Sequence, residues 1–328
     1  MTDVKQSIAA DARSRPLVFV NQIAECLNDV IASHSSRPQV IFDPEPREPW
    51  RIHEDSDVLV TRAFDGWKLA PEKPQALPPR LRWVQTMSAG IDFYPRWLLE
   101  GRLVTTGAGL TAPVISEYVI AAIIRVEKPI QKLAARSQKD WFQTRLGRIE
   151  GRRLGIFGYG AIGKNIAQLA LALGMDVMVC RRSDPTPQDG PIQFCSSIAE
   201  LAGWSDHLAL AAPATEETRG IFSRGLIGIA KPGLHLINVS RGDLVDQDAL
   251  IEGLQGGAIG HATLDVTTPE PLPDGHPLYA KDNVIVTPHI AWSGADPENG
   301  LGLRILRSLD AILEGYPPEA EVNLTRGY

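Results

Sequence analysis

Residues 155–167 read GIFGYGAIGKNIA: a short apolar run, three glycines at fixed offsets, then helical spacing. No other stretch narrows the fold as much. In Gly158-Tyr159-Gly160-Ala161-Ile162-Gly163 the first glycine permits a sharp strand-to-helix turn. The second lets the backbone approach a pyrophosphate, and the third lets helix and strand pack closely. The helix start then offers free N–H groups and the positive end of its dipole to the phosphates. A GxGxxG run alone matches any glycine-rich turn. Here it follows an apolar strand, opens an apolar-periodic helix and precedes a second strand, DVMVC (176–180). That context is the one a dinucleotide site requires.

The end of the second strand bears on which nucleotide is taken. An NAD-binding unit usually carries an Asp or Glu there for the ribose hydroxyls. This chain has Arg181, Arg182 and Ser183. A carboxylate repels a 2′-phosphate, whereas a guanidinium pairs with it through two charge-assisted hydrogen bonds. NADP(H) is the expected cofactor, with NADPH preferred and NAD as the lesser option.

At 328 residues the chain exceeds what one ordinary core organises, so two domains are expected. Hydrophobic residues at 44% and charged residues at 22% describe a soluble globular protein without bulk disorder. A net charge of −6 opposes a nucleic-acid or anionic-membrane partner of the same sign. Cys26, Cys180 and Cys195 show neither CxxC spacing nor an even framework and read as free thiols in a reducing compartment. No apolar run approaches the roughly 18–20 residues that span a bilayer. The N-terminus, MTDVKQSIAADARSRP, lacks an apolar h-region and reads as a loose start, not a signal peptide. The cytoplasm is the expected location.

Along the first third, PLVFV (16–20), QVIFD (39–43), DVLVT (57–61), LRWVQTMS (81–88) and LVTTG (103–107) read as strands, most of them apolar on both faces. QIAECLNDVIAS (22–33) has helical spacing. A long helix is expected over TAPVISEYVIAAIIRVEKPIQKLAARSQKDW, from Thr111, with Pro113 in its first turn. After the glycine loop, strand-like and helical runs alternate to NVIVTPH (283–289), and a last helix covers GLGLRILRSLDAILEG (300–315). Such alternation implies parallel sheets with right-handed crossovers.

Three strand ends carry candidate chemistry. LINVSRGDLVD (236–246) places Arg241 after a buried strand, LDVTTPEPLPDGHPLY (264–279) holds Glu270 between prolines, and VIVTPHIAWSG (284–294) ends a strand on His289. Hydride transfer to a 2-oxo acid needs these residue types. A fixed cation with directional donors holds the carboxylate and carbonyl oxygens. A histidine delivers a proton to the carbonyl oxygen. A carboxylate beside the imidazole favours its protonated form and orients it. Taken singly, each has an ordinary alternative: a loop salt bridge, a solvated charge, a core histidine. The other histidines, His34, His53, His207, His235, His261 and His276, fit no metal motif and read as structural. No metal is expected.

Taken in order, GIFGYGAIGKNIA, INVSRGDLVD, LDVTTPEPLP…HPLY and VIVTPHIAW resemble the D-isomer-specific 2-hydroxyacid dehydrogenase family, from about Leu81 to the C-terminus. The resemblance implies Arg241 as substrate clamp, Glu270 as partner of His289, and His289 as acid/base. It implies that backbone N–H groups around Ser88, Ala89 and Gly90, in TMSAGID, grip the substrate carboxylate. AAPATEETRG (211–220) is similar to the segment beside the nicotinamide and its ribose, which brings Ala212, Pro213 and Thr218 to the cofactor. Val239, Ser240 and His289 join that cofactor side, and Asp265 matches an aspartate near the carboxamide. Trp292 resembles members acting on hydroxypyruvate or glycerate, and reads equally as packing. Departures are Arg181 in place of the ribose aspartate, Thr267 where an aromatic is common, and Tyr118 where histidine is frequent.

The implied fold is α/β, with two doubly wound parallel-sheet domains. A Rossmann-like cofactor domain spans 112–291, and a flavodoxin-like, discontinuous substrate domain comprises 1–111 and 292–328, with the active site in the cleft between them. A homodimer through the cofactor domains is implied. The implied function is NADP(H)-dependent reduction of a small 2-oxo acid such as glyoxylate or hydroxypyruvate. Two alternatives stay open: a phosphite-type dehydrogenase sharing the triad, and a non-enzymatic NAD(P)-sensing corepressor-like protein. Formate oxidation is disfavoured, since it uses a glutamine where Glu270 stands.

Overall fold

The computed structural model describes residues 2–44, 47–73, 77–181, 191–294 and 296–325. The chain divides into two units, Met1–Thr111 with Ala295–Tyr328, and Ala112–Gly294. The second unit runs to Gly294, past the expected boundary at 291. Ala291 is buried in that unit's core, and the Trp292 indole N–H donates to the His289 carbonyl at 2.8 Å. Trp292 therefore belongs to the second unit, not to 292–328 as expected.

Among its described residues the first unit builds a five-stranded parallel sheet from β1 (Val18–Asn21), β2 (Gln39–Phe42), β3 (Val58–Thr61), β4 (Trp83–Thr86) and β5 (Leu103–Thr105). Its order is β2-β1-β3-β4-β5, the flavodoxin-like arrangement. Every residue of β1, β3, β4 and β5 is buried, as expected of strands covered on both faces. On one face Phe19, Val58 and Trp83 pack with residues of α1 (Thr2–Ser14), α2 (Cys26–Ala32) and the final helix, Pro297–Glu314. On the other, Val20, Leu59 and Val84 meet Trp67, Tyr94 and Leu98, the last from α3 (Arg96–Leu99). The N-terminus is thus a helix and not a loose start. Ile8, Ala9 and Ala12 form an apolar stripe that is buried in the core.

In the second unit α4 (Ala112–Glu127) precedes a seven-stranded parallel sheet: β6 (Arg153–Phe157), β7 (Asp176–Cys180), β8 (Gln193–Cys195), β9 (His207–Leu210), β10 (Leu234–Asn238), β11 (Ile259–Leu264) and β12 (Val284–Val286). The crossovers carry α5 (Ala161–Ala172), α6 (Ile198–Trp204), α7 (Arg224–Ile229) and α8 (Gln247–Gln255). The order β12-β11-β10-β9-β6-β7-β8 reverses between β6 and β9. That is the switch point beside which doubly wound sheets bind ligands. β8 was not among the strands read from sequence.

The long helix expected from Thr111 stops at Glu127. Pro129 has no N–H to continue the ladder and disfavours a helical Lys128. Beyond it the chain is exposed, with Ile130, Trp141 and Phe142 at 69%, 84% and 67% exposure. No helix among the described residues is long and apolar enough to cross a membrane.

Candidate active site

The three motif glycines meet three different constraints. Gly158 has φ +101°, and a Cβ there would lie 2.6 Å from the Ala212 nitrogen. A Cβ on Gly163 would lie 2.1 Å from the Gly158 carbonyl oxygen, so helix and turn close on each other only with hydrogen at that position. A Cβ on Gly160 meets nothing within 4 Å. Gly160 is the N-cap of α5 and supplies no side-chain cap, whereas Asp246 caps α8 by accepting from the Ala249 N–H. An open cradle at an uncapped helix start suits a phosphate, so these residues fit a dinucleotide. Ala161 is exposed and Ile162 half-buried.

Arg181 follows β7 directly. Its guanidinium lies over the Phe194 ring at 4.6 Å and the Tyr159 ring at 5.2 Å, and those rings meet edge to face at 5.9 Å. Two aromatic faces thus hold a cation at the position where a ribose carboxylate is usual. Phe194, on the unanticipated β8, has no sequence signal of its own and was missed. Arg182 and Ser183 lie outside the described residues.

Arg241, Glu270 and His289 come together at the carboxyl edge of the second sheet. The Asn238 amide donates to the Arg241 carbonyl at 2.8 Å, and Arg241 Nη1 donates to the Ser240 carbonyl at 2.8 Å. The Ser240 hydroxyl in turn donates to the Ala212 carbonyl. Glu270 Oε1 is 2.7 Å from His289 Nδ1, with side-chain exposures of 41% and 31%, so the pair is open to a small solute. Burial pushes the Glu270 carboxyl up. The hydrogen bond and charge of His289, a backbone bond from Thr267 and the charge of Arg241 outweigh it and hold the carboxyl below its ordinary range.

His289 has φ +53°, a left-handed conformation uncommon outside glycine. Asp265, 2% exposed, enforces it. The Asp265 carbonyl accepts the His289 N–H at 2.9 Å, and its carboxylate accepts the N–H groups of Ile290 and Ala291, both at 2.9 Å. The Thr287 hydroxyl donates to the same carboxylate at 2.6 Å, so it accepts from Tyr118 Oη, 2.7 Å away. Burial raises the Tyr118 hydroxyl, with Asp265 reinforcing and the Thr287 bond opposing, so it stays protonated. Thr287 and Asn238 were missed as positioning groups. A polar residue flanked by strand-end motifs was their one signal.

The remaining expected residues are accounted for as follows. Val239 and Ala212 are buried, and Pro213 is exposed. The Thr218 hydroxyl donates to the Pro213 carbonyl at 2.7 Å and accepts from the Thr215 N–H at 2.8 Å, bracing its own loop. In the first unit β4 runs into Ser88, Ala89 and Gly90. There Thr86 Oγ1 donates to the Ser88 carbonyl at 2.9 Å and Ser88 Oγ to the Gly90 carbonyl at 2.8 Å.

The family profile described as "D-isomer specific 2-hydroxyacid dehydrogenase, NAD binding domain" matches residues 119–291. A glyoxylate reductase of Thermofilum pendens is 30% identical over 331 residues, covering 94% of this chain and 95% of its own. Glyoxylate/hydroxypyruvate reductase A of Serratia proteamaculans is 31% identical, covering 79% and 85%. Among solved structures, a D-isomer specific 2-hydroxyacid dehydrogenase family protein from Aeromonas salmonicida superposes with a TM-score of 0.78 at 25% identity, over 94% of this chain and 99% of that one.

Proposed function

The chain belongs to the D-isomer-specific 2-hydroxyacid dehydrogenase family, a family of nicotinamide-dependent oxidoreductases, and from that premise we propose that it reduces a small 2-oxo acid with NADPH. The observation that carries the reading is the His289–Glu270 pair at 2.7 Å beside the charge of Arg241. Relatives named for glyoxylate and hydroxypyruvate support substrates of that size.

Bound, the nicotinamide supplies the hydride. Gly158–Gly163 and the start of α5 would hold its pyrophosphate, and Arg181 on its two rings a 2′-phosphate. Arg241 clamps the substrate's carboxylate and carbonyl oxygens. His289 donates its proton to the carbonyl oxygen as that oxygen gains charge, and Glu270 stabilises the imidazolium and sets its orientation. Asp265 is assigned two tasks, fixing 287–291 and flanking the carboxamide. The product is the D-2-hydroxy acid.

Dimerisation belongs to the same proposal. Ile130, Trp141 and Phe142 on the second unit are exposed, and a homodimer through this unit would give them a surface to cover. The test of function is NADPH consumption with glyoxylate, hydroxypyruvate and pyruvate, repeated with NADH. Turnover of none of the three sinks the assignment. Arg241→Ala should lose kcat/KM for every 2-oxo acid while retaining NADPH binding, and near-normal turnover by that folded variant would remove Arg241 from its role.

A further inference from the structure

β7 and β8 end side by side on two cysteines. Cys180 and Cys195 are register partners in this parallel pair, so both side chains leave the same face of the sheet. Both pack with the same core cluster, Cys180 buried and Cys195 half-buried. The Cys195 sulfur lies 3.4 Å from the Ser197 carbonyl oxygen and 3.6 Å from that of Val179, the residue before Cys180. The neighbouring Cys195 thiol draws the Cys180 thiol below its ordinary value against burial. The remaining cysteine, Cys26, is exposed in the first unit.

This rung adjoins the nucleotide site proposed above. Arg181 directly follows Cys180, and Phe194, whose ring lies under the guanidinium at 4.6 Å, directly precedes Cys195. The Gly158 N–H donates to the Cys180 carbonyl at 3.0 Å, tying the glycine turn to the same strand end.

We propose that Cys180 and Cys195 form a redox modification site, a dithiol that peroxide converts to a disulfide and whose oxidation weakens nucleotide binding at Arg181. The Cys180 thiolate attacks one oxygen of hydrogen peroxide. An S–O bond forms, the O–O bond breaks, and the departing hydroxide takes a proton as water. Cys195 sulfur then attacks Cys180 sulfur. The S–S bond forms, the S–O bond breaks, and the second hydroxide leaves as water with the Cys195 proton. Two thiols lose two electrons in all, and one peroxide becomes two waters.

Geometry supplies the coupling. Neighbouring strands lie about 4.7–4.9 Å apart, inside the roughly 4.4–6.8 Å between Cα atoms that a disulfide spans, so register partners can be bridged without parting the strands. Closing the bond locks the two strand ends in one geometry, and Arg181 and Phe194, which adjoin them, are locked with them. The part of the inference that concerns nucleotide affinity rests on the assignment of Arg181 to the cofactor.

The experiment treats the full-length protein with hydrogen peroxide, alkylates it, and maps peptides by mass, with NADPH and NADH Kd measured before treatment, after it, and after dithiothreitol. A Cys180–Cys195 cross-link, an NADPH Kd raised roughly three- to tenfold as for one weakened charge-assisted contact, and reversal by dithiothreitol are expected. Cys195→Ser, with Cys195→Ala as a second variant should serine disturb folding, should bind NADPH normally before treatment and form no cross-link after peroxide, stopping at the Cys180 sulfenic acid. Both thiols still alkylatable after peroxide, or a disulfide with unchanged Kd for both nucleotides, would overturn the inference. Equal Kd for NADPH and NADH in untreated protein counts against the NADPH preference alone, since the change on oxidation is read separately.

Discussion

His289 works from a backbone conformation that a side chain ordinarily avoids, and the Asp265 carbonyl and carboxylate hold it there with three N–H bonds. Strain of this kind persists only where surrounding bonds over-determine it, and it clusters at functional positions. Replacing His289 by Ala should cost about 10²–10⁴-fold in reduction, the usual range for positioned acid catalysis. Glu270 stays ionised across the neutral range because its carboxyl is held below the ordinary value. Glu270→Gln keeps the shape and removes that charge, so the protonated pair is less favoured and the alkaline limit of reduction should move to lower pH. A pH–rate profile with the limit unmoved would assign the partner role elsewhere. At the other end of the site, Arg181→Asp should narrow or reverse an NADPH preference worth about 1.5–3 kcal/mol. Equal kcat/KM for the two cofactors in the parent protein would refute that role.

The glycine loop and α5 act as one element, and their glycines are not interchangeable. Ala at 160 enters open space at an extended backbone, φ −79° and ψ −161°, so stability should change by no more than about 0.5 kcal/mol. The added methyl would occupy the approach to the helix start, and NADPH Kd should rise about tenfold or more, in line with the loss of close phosphate contact. Gly163→Ala instead drives a methyl into the Gly158 carbonyl and should destabilise the protein by roughly 1–3 kcal/mol, as overpacking does. Denaturant melts and nucleotide titrations of the two variants separate the effects. Matching losses of stability would contradict the division of labour.

For the molecule as a whole, the two edges of the second sheet differ in their ionisable groups. At the carboxyl edge the Glu270 carboxyl is held below its ordinary range. Near the amino edge, buried His207 and His235 meet through their Nδ1 atoms at 3.0 Å, and Thr263 Oγ1 lies 3.0 Å from His235 Nε2. His207 Nε2 is 3.3 Å from Glu127 Oε1 but off the line of a hydrogen bond. Burial lowers His207 to about 4, against the pull of Glu127, and it lowers His235 and His261 as well. Between the ordinary value of 6.5 and about 4 the unfolded chain binds protons that the folded chain refuses. Stability is therefore full above that window and falls with pH through it, by roughly 3 kcal/mol for His207 alone. Unfolding midpoints measured from pH 7 to 5 should drop, and His207→Gln should flatten the slope. A variant with the parent's slope would show that other groups drive acid sensitivity.

Local pattern determined a great deal. The apolar run before Gly158, the uncapped helix after it, and the strands ending near Arg241 and His289 are all legible because burial follows periodicity and glycine spacing follows backbone sterics. Pro129, likewise, carried the end of α4 in plain view, although the apolar residues beyond it argued for more helix. Tertiary structure alone decided the partnerships. Thr287 meets Tyr118 across 169 positions and Asp265 across 22, and Cys180 faces Cys195 only because β8 pairs with β7 at the sheet edge. Gln193–Cys195 is three residues long, too short for any period to show. Periodicity reports which side of an element is buried. Which distant residue waits there depends on strand order, and that is a property of the closed sheet.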